Sequence, residues 1–196
     1  MSVVKLRPFS LDRMVEAVEA VRDRMLRASA ALERAGVPYV VVGGNAVAAW
    51  VSRVDRTAVR NTQDVDIMVR RSDLLAVTTA LESAGFFRQE VLGVVNFRDG
   101  PQAGPRDSVH IVFANEKVQP QEALPNPDID RWEMAESYRI IPLEDLVRIK
   151  LTSYRLKDRV HLQDLLAVGL IDATWINRVP PELAERLREV LANPNA

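Results

Sequence analysis

The chain has 196 residues, 47% of them apolar, no cysteine and a net charge of −1. That length and apolar content suit one domain, or a core with a small appendage, with enough side chains to bury a real core. The composition excludes disulfides, thiolate zinc sites and cysteine nucleophiles, and it supplies no global field to recruit nucleic acid.

The start, Met1-Ser-Val-Val-Lys-Leu-Arg-Pro-Phe-Ser10, lacks the long apolar core of a signal peptide. The longest apolar stretch, 37–51, is broken by Pro38 and two glycines and falls short of the ~20 residues that span a bilayer. The expectation is a cytoplasmic protein with no membrane partner. Ser10 can cap a helix running through about Ala35, with Leu11, Met14, Val15, Val18, Val21, Met25 and Leu32 on one stripe; Gly36 and Pro38 end it. A short strand at 39–42 leads through Gly43-Gly44 into a helix at 45–51, and an arginine-rich loop spans 52–63. The next strand carries Asp64-Val65-Asp66. Ser72 can cap a helix through Ala84, closed by Gly85. Strands are expected at 86–91 and 94–97 around a turn at Gly93, and at 109–114 after a loop at 99–105. Residues 118–130 hold three prolines and no period, a long loop suited to a flap. A short strand at 138–141 precedes helices at 143–156, 159–168, 172–178 and 181–192. Helices on either side of a strand-rich middle give an α+β, or mixed α/β, class.

The segment Thr62-Gln-Asp-Val-Asp-Ile-Met-Val69 carries the most chemistry. Side chains alternate along a strand, so Asp64 and Asp66 point one way and Val65, Ile67 and Val69 the other. Adjacent carboxylates repel, and acids are depleted from strand interiors. Such a pair persists most easily around a cation, and oxygen ligands suit a hard divalent ion. A solvated edge strand is the plainer alternative. The strand–Gly43–Gly44–helix passage upstream weighs against it. Glycine removes the Cβ obstacle to a phosphate, and a helix start offers unpaired N–H groups and positive dipole. An anion cradle beside a cation site fits a nucleoside triphosphate.

Gly43-Gly44 followed by Thr62-x-Asp64-x-Asp66 resembles the nucleotidyltransferase superfamily of DNA polymerase β-like minimal enzymes. The later segment from Lys150 through Arg155, Lys157 and Asp158 to Asp164-Leu165 is similar to the signature of abortive-infection, toxin-type nucleotidyltransferases. The resemblance covers roughly residues 35 to 170. It implies a small mixed sheet flanked by helices, with a nucleotidyltransferase-like core with the N-terminal helix at 1–141 and a helical region packed on it at 142–196. The implied activity is transfer of a nucleoside monophosphate from a triphosphate to an acceptor hydroxyl, with Mg²⁺ or Mn²⁺. RNA (tRNA included), protein or a small antibiotic are the acceptors it admits, and a cognate antitoxin is the partner it suggests. Asp64 and Asp66 would be the metal ligands. Gly43, Gly44, Asn45, Thr62, Lys150, Arg155, Lys157 and Asp158 would serve the nucleotide, Asp158 by orienting the basic groups.

The superfamily places a third carboxylate on a later strand, and here His110 holds that position within Ser108-Val-His-Ile-Val-Phe113. Neutral imidazole is a poor Mg²⁺ ligand. With an ordinary pKa of ~6.5, His110 is instead a candidate general base; loss of catalysis is the competing reading. Asp107 lies three residues away and falls on the opposite face of a regular strand. If 143–157 forms one helix, Lys150, Tyr154 and Lys157 share a face. The arginines at 53, 56, 60, 70 and 71 either offset the Asp-x-Asp charge, attract a phosphate-bearing acceptor or form ion pairs. His161 is expected in packing or at the surface, and Trp50, Trp132 and Trp175 in or beside the core.

Overall fold

The computed structural model describes residues 10–104 and 106–193. The leader segment weighed above, up to residue 9, and Pro105 of the expected loop lie outside them. Among the described residues seven strands form one mixed sheet. They are β1 (Val40–Val42), β2 (Val65–Val69), β3 (Phe87–Val91), β4 (Val94–Arg98), β5 (Ser108–Phe113), β6 (Glu133–Ala135) and β7 (Tyr138–Ile140), in the order β3-β4-β5-β2-β1-β7-β6. β2 runs parallel to β5 and β1 parallel to β7; the remaining neighbours are antiparallel. β1 and β2 read as almost unbroken apolar runs because they lie at the centre of the sheet, covered on both faces.

The helices are α1 (Leu11–Arg34), α2 (Gly43–Ser52), α3 (Leu74–Ser83), α4 (Leu143–Ser153), α5 (Leu156–Ala167) and α6 (Pro181–Ala192). α1 packs on α3 and reaches β2, β5 and β7; α2 packs on β1, β2, α4 and α5. Val95 and Phe97 of β4 and Val109, Ile111 and Phe113 of β5 are buried on the face under α1 and α3. No helix among the described residues is long and apolar enough to cross a membrane.

Four expectations change. The α1 stripe covers the core only from about Met25 onward, and Leu11, Met14, Val15 and Val18 are exposed because the first turns extend past the sheet. The single helix over 143–157 is broken: α4 ends at Ser153, Tyr154 takes a left-handed conformation with φ 47°, and α5 starts afresh at Leu156. The Asp158 carboxylate causes the break. It accepts from the Arg155 backbone N–H at 3.2 Å and the Ser153 hydroxyl at 2.7 Å, satisfying groups that a continuous helix would have paired otherwise. The end of the 118–130 loop, from Asn126 to Asp130, is pinned rather than flap-like. Buried Asn126 donates to the Phe113 carbonyl at 3.0 Å, Asp128 and Asp130 both take Arg70, and Ile129 is buried. β6 was not expected; its three residues give no periodic signal, and only pairing with β7 makes it a strand.

Candidate active site

The register of the central strands assembles the site. Val42 of β1, Asp66 of β2 and His110 of β5 lie side by side across three strands, so their side chains share one face. Asp64 precedes β2 by one residue and points the same way. His110 Nδ1 sits 3.5 Å from Asp66 Oδ1, and Lys157 Nζ sits 3.4 Å from Asp64 Oδ2. Each carboxylate thus has one basic side chain beside it, the Lys157 ammonium for Asp64 and the His110 imidazole for Asp66. Asp107 is on the opposite side, paired with Arg24 of α1 at 3.0 Å, so His110 alone occupies the third position.

The Gly-Gly turn has a steric reason within the chain itself. Gly43 has φ +67°, and a Cβ there would lie 2.0 Å from Asp66 Oδ2. A Cβ on Gly44 would lie 2.7 Å from Thr62 Oγ1. Both glycines let the start of α2 close onto the strand that bears the aspartates. Asn45 completes the clamp, its side-chain amide donating to the Asp64 carbonyl at 2.7 Å. Gly43, Gly44, Asn45 and Thr62 therefore converge on the aspartate segment.

The C-terminal helices supply a second layer. Lys150 is buried and donates to Asp158 Oδ1 at 3.0 Å. Asp158, wholly buried, also takes the Arg155 guanidinium at 2.8 Å. Burial by itself would raise the Asp158 pKa; Arg155, the charge of Lys150 and the Ser153 hydroxyl outweigh it and hold the carboxyl at about 2. Burial pushes Lys150 down, with Asp158 and then Asp66 pulling it back. The Lys150 ammonium is engaged with Asp158, while Arg155 and Lys157 present exposed cations at the start of α5. Further along α5, Asp164 takes Arg60 in a bidentate pair, both bonds 3.0 Å, which ties the loop before the aspartates to the helix.

Burial opposes ionisation of Asp66, but its contact with His110, then the charges of Lys150 and Lys157, lower its pKa below the usual carboxylate value. The same contact raises His110 above its ordinary value against a smaller opposing effect of burial. His161 faces the other way: burial, then Lys150, depress it to about 4. Arg53, Arg60, Arg70 and Arg71 are ion-paired to Glu133, Asp164, Asp128 and Glu116, so these four do not neutralise the aspartates. Trp50 and Trp175 are buried, whereas Trp132 is exposed.

Among the described residues no group of three or more acidic, histidine or cysteine side chains could hold a metal. A two-carboxylate donor set nevertheless suits Mg²⁺, which keeps several waters and is bound through one or two carboxylates plus substrate phosphates. The Lys157 ammonium beside Asp64 occupies part of the electrostatic place of such an ion. Sequence reasoning did not find Asn96 or Arg98, which the β4–β5 pairing brings beside His110 and Ser108. No local pattern specifies which strand lies next to β5.

No family model matches the chain, and no curated protein does. Solved structures do. The solution structure of the antibiotic-resistance factor ANT(2'')-Ia superposes with a TM-score of 0.51 at 15% identity, over 91% of this chain and 92% of that one. The crystal structure of JHP933 from Helicobacter pylori gives 0.54 at 15% identity, over 92% and 76%. ANT(2'')-Ia in complex with adenylyl-2''-tobramycin gives 0.50 at 16% identity, over 93% and 99%. The chain shares the overall fold of these structures, of the α+β class.

Proposed function

We propose that the protein transfers a nucleoside monophosphate from a nucleoside triphosphate to an acceptor hydroxyl with the help of a divalent metal. The observation that carries this reading is the placement of Asp64 and Asp66 together under the Gly43-Gly44 turn, with Lys157 beside one and His110 beside the other. Mg²⁺ or Mn²⁺, held by the two carboxylates, would bridge the triphosphate and offset its charge. Lys157 and Arg155 face the leaving pyrophosphate from the start of α5, and Lys150 acts through Asp158 by fixing that start. Backbone N–H groups at Gly43–Asn45 bind phosphate. The acceptor oxygen attacks the α-phosphorus in line. His110 is the candidate base; its contact with Asp66 raises its affinity for the proton. Positioning and charge stabilisation carry most of such chemistry.

A second reading is a degenerate domain that binds nucleotide without turnover, favoured by His110 in the third acidic position. Within the first reading, the segment from Lys150 to Asp164 supports a toxin with a cognate antitoxin. The fold shared with an antibiotic-resistance factor supports an antibiotic as acceptor. The test is incubation of the purified protein with each labelled triphosphate, Mg²⁺ or Mn²⁺ and total cellular RNA, following label into RNA or protein. Asp64→Ala with Asp66→Ala should abolish transfer, and turnover surviving in that double variant refutes the assignment. His110→Asp separates the two readings: a gain of activity marks the native site as crippled. Metal-dependent nucleotide binding without label transfer supports the binding module.

A further inference from the structure

The two edges of the sheet are finished differently. β6 ends one side with three residues, and the Arg53 guanidinium donates to its Met134 carbonyl at 2.7 Å. β3 ends the other side with five residues in unbroken register against β4, from Phe87 opposite Arg98 to Val91 opposite Val94. In that register His110 of β5 stands beside Asn96, and Asn96 beside Gln89. β3 pairs with β4 alone, so alternate N–H and C=O groups along its outer side have no strand to bond. Protein sheets usually blunt such an edge with proline, lysine, a bulge or a cover. Phe87-Arg-Gln-Glu-Val91 contains neither proline nor lysine, and its pairing has no bulge. Four of its five residues are exposed, so nothing among the described residues covers it.

The hairpin is apolar where turn chemistry favours polar residues. Phe87, Val91 and Val94 are exposed on the face that carries Asp66, and Leu92 at the turn is fully exposed. Leu92 also holds φ 51°, a conformation in which asparagine or glycine is the ordinary occupant. A large apolar side chain at a strained, solvent-facing turn points to a contact that covers it. The strand is complementary to itself. Laid antiparallel on a second copy about Gln89, Phe87 faces Val91 of the partner subunit, and Arg88 faces Glu90 of the partner subunit. Symmetry makes each pairing twice. Within one chain Arg88 already bonds Glu90 at 2.8 Å, but both side chains are more than a third exposed, so exchanging one partner for the other costs little. Moving the centre to either neighbour sets Arg88 against its own counterpart or Glu90 against its own. Charge therefore fixes the register.

We propose that β3 is a self-association edge and that its occupant is β3 of a second copy of this chain. The pairing adds about four to six main-chain hydrogen bonds and joins the two sheets into one across a two-fold axis. Leu92 at the tip of each hairpin falls beside the base of the other hairpin, next to Phe87 of the partner subunit. The axis stands perpendicular to the sheet, so both copies turn the Asp66 face to the same side. With β5, β4 and β3 of each copy between them, the two Asp66 positions lie about 34 Å apart at ~4.8 Å per strand. Neither aspartate site is covered by the pairing, and the inference does not rest on nucleotidyl transfer.

Sedimentation velocity of the full chain from about 1 to 200 µM reads the association, since an interface of this size is weak. Wild type should pass from monomer to dimer over that range. Arg88→Glu and Glu90→Arg should each weaken dimerisation at least about tenfold, because each sets two pairs of like charges face to face. An equimolar mixture of the two variants should recover the wild-type association, since every facing pair is then of opposite charge. Leu92→Asn should weaken the dimer about threefold, while the dilute monomer melts no lower than wild type because the turn strain is relieved. Amide exchange across β3 should slow about tenfold between the dilute and concentrated ends in wild type, and not in Arg88→Glu. A chain that stays monomeric at about 200 µM overturns the inference. So does a dimer that both charge variants leave intact, or a mixture of the two that fails to pair. A dimer lost in Met14→Glu with Val18→Glu, but not in the charge variants, lies on the exposed start of α1 and overturns it as well.

Discussion

The two flanks of the aspartate pair are built on opposite principles. On the helical side, Lys150, Ser153, Arg155 and Asp158 are packed together with each carboxylate oxygen of Asp158 engaged. On the sheet side, Asn96 Oδ1, Arg98 Nε and Ser108 Oγ are buried without a protein partner, as is His161 Nδ1 on the helical side outside the Asp158 cluster. A satisfied buried network rigidifies, because every alternative arrangement leaves a charge unpaired. Unsatisfied atoms do the reverse, since they gain when a ligand arrives. The contrast separates a flank that positions α5 and Lys157 from one that has capacity to bind.

The largest effect should come from breaking the satisfied flank. Lys150→Met or Asp158→Asn leaves one buried partner without the other and should cost about 3–5 kcal/mol in chemical denaturation. The double change Lys150→Met with Asp158→Leu should recover much of that, because no buried charge then remains. A single variant within about 1 kcal/mol of wild type would mean the pair is not the anchor of α5. Gly43→Ala comes next. The added methyl meets Asp66 Oδ2 at 2.0 Å and the residue must hold φ +67°, so stability should fall by about 1–3 kcal/mol. Transfer should drop at least a hundredfold, since the displaced group is itself a proposed ligand. Activity within twofold of wild type would show that Asp66 has room to move.

Much of the positioning flank was legible in the sequence. Gly43-Gly44 before an apolar helix, and Asp-x-Asp within a β-branched run, specify the turn, the strand and their convergence in a few adjacent residues. The separate helices α4 and α5 were not legible, because helix periodicity runs on through Tyr154 and only the tertiary position of Asp158 makes the break favourable. Lys150 read as a nucleotide-facing cation, whereas it is buried and paired with Asp158, because the sequence does not show which lysine is roofed over. The row from His110 to Gln89 depends on two antiparallel pairings between segments that carry no mark of their neighbours. Exposure of the first turns of α1 likewise follows from where the sheet ends, not from its apolar stripe.

Acid should loosen the satisfied flank in two steps of moderate size. His161 feels the charges of Lys150, Asp158, Asp164 and Lys157, and burial, then Lys150, take its pKa from the ordinary 6.5 to about 4. Between those values the unfolded chain takes up a proton that the folded chain refuses, so stability falls as pH drops, by about 2–3 kcal/mol at full effect. Asp158 follows: its folded value of about 2 lies below the ordinary 3.8, so its contribution is present above 3.8 and lost as pH falls toward 2, about 2 kcal/mol in all. His161→Gln should remove the upper step and keep the lower. Thermal melts at pH 7, 5 and 3.5 read both, and an unchanged drop between pH 7 and 5 in that variant would assign the step to another group.

The smallest change in stability is expected on the sheet flank, which makes it the sharpest test of the contrast. Arg98→Gln and Asn96→Ala remove buried polar atoms that have no partner, so the folded state gives up no hydrogen bond at those atoms. Both variants should stay within about 0.5–1 kcal/mol of wild type, and Asn96→Ala should be neutral or slightly stabilising, because deleting an unsatisfied group removes its desolvation cost. A residue whose bonds are made within the fold is thereby separated from one with a buried atom that lacks a protein partner. Lys150 is costly to remove, whereas removing Arg98 should cost the fold little. A loss of 3 kcal/mol or more in Arg98→Gln would place that arginine with the structural network, and the two flanks would no longer differ in kind.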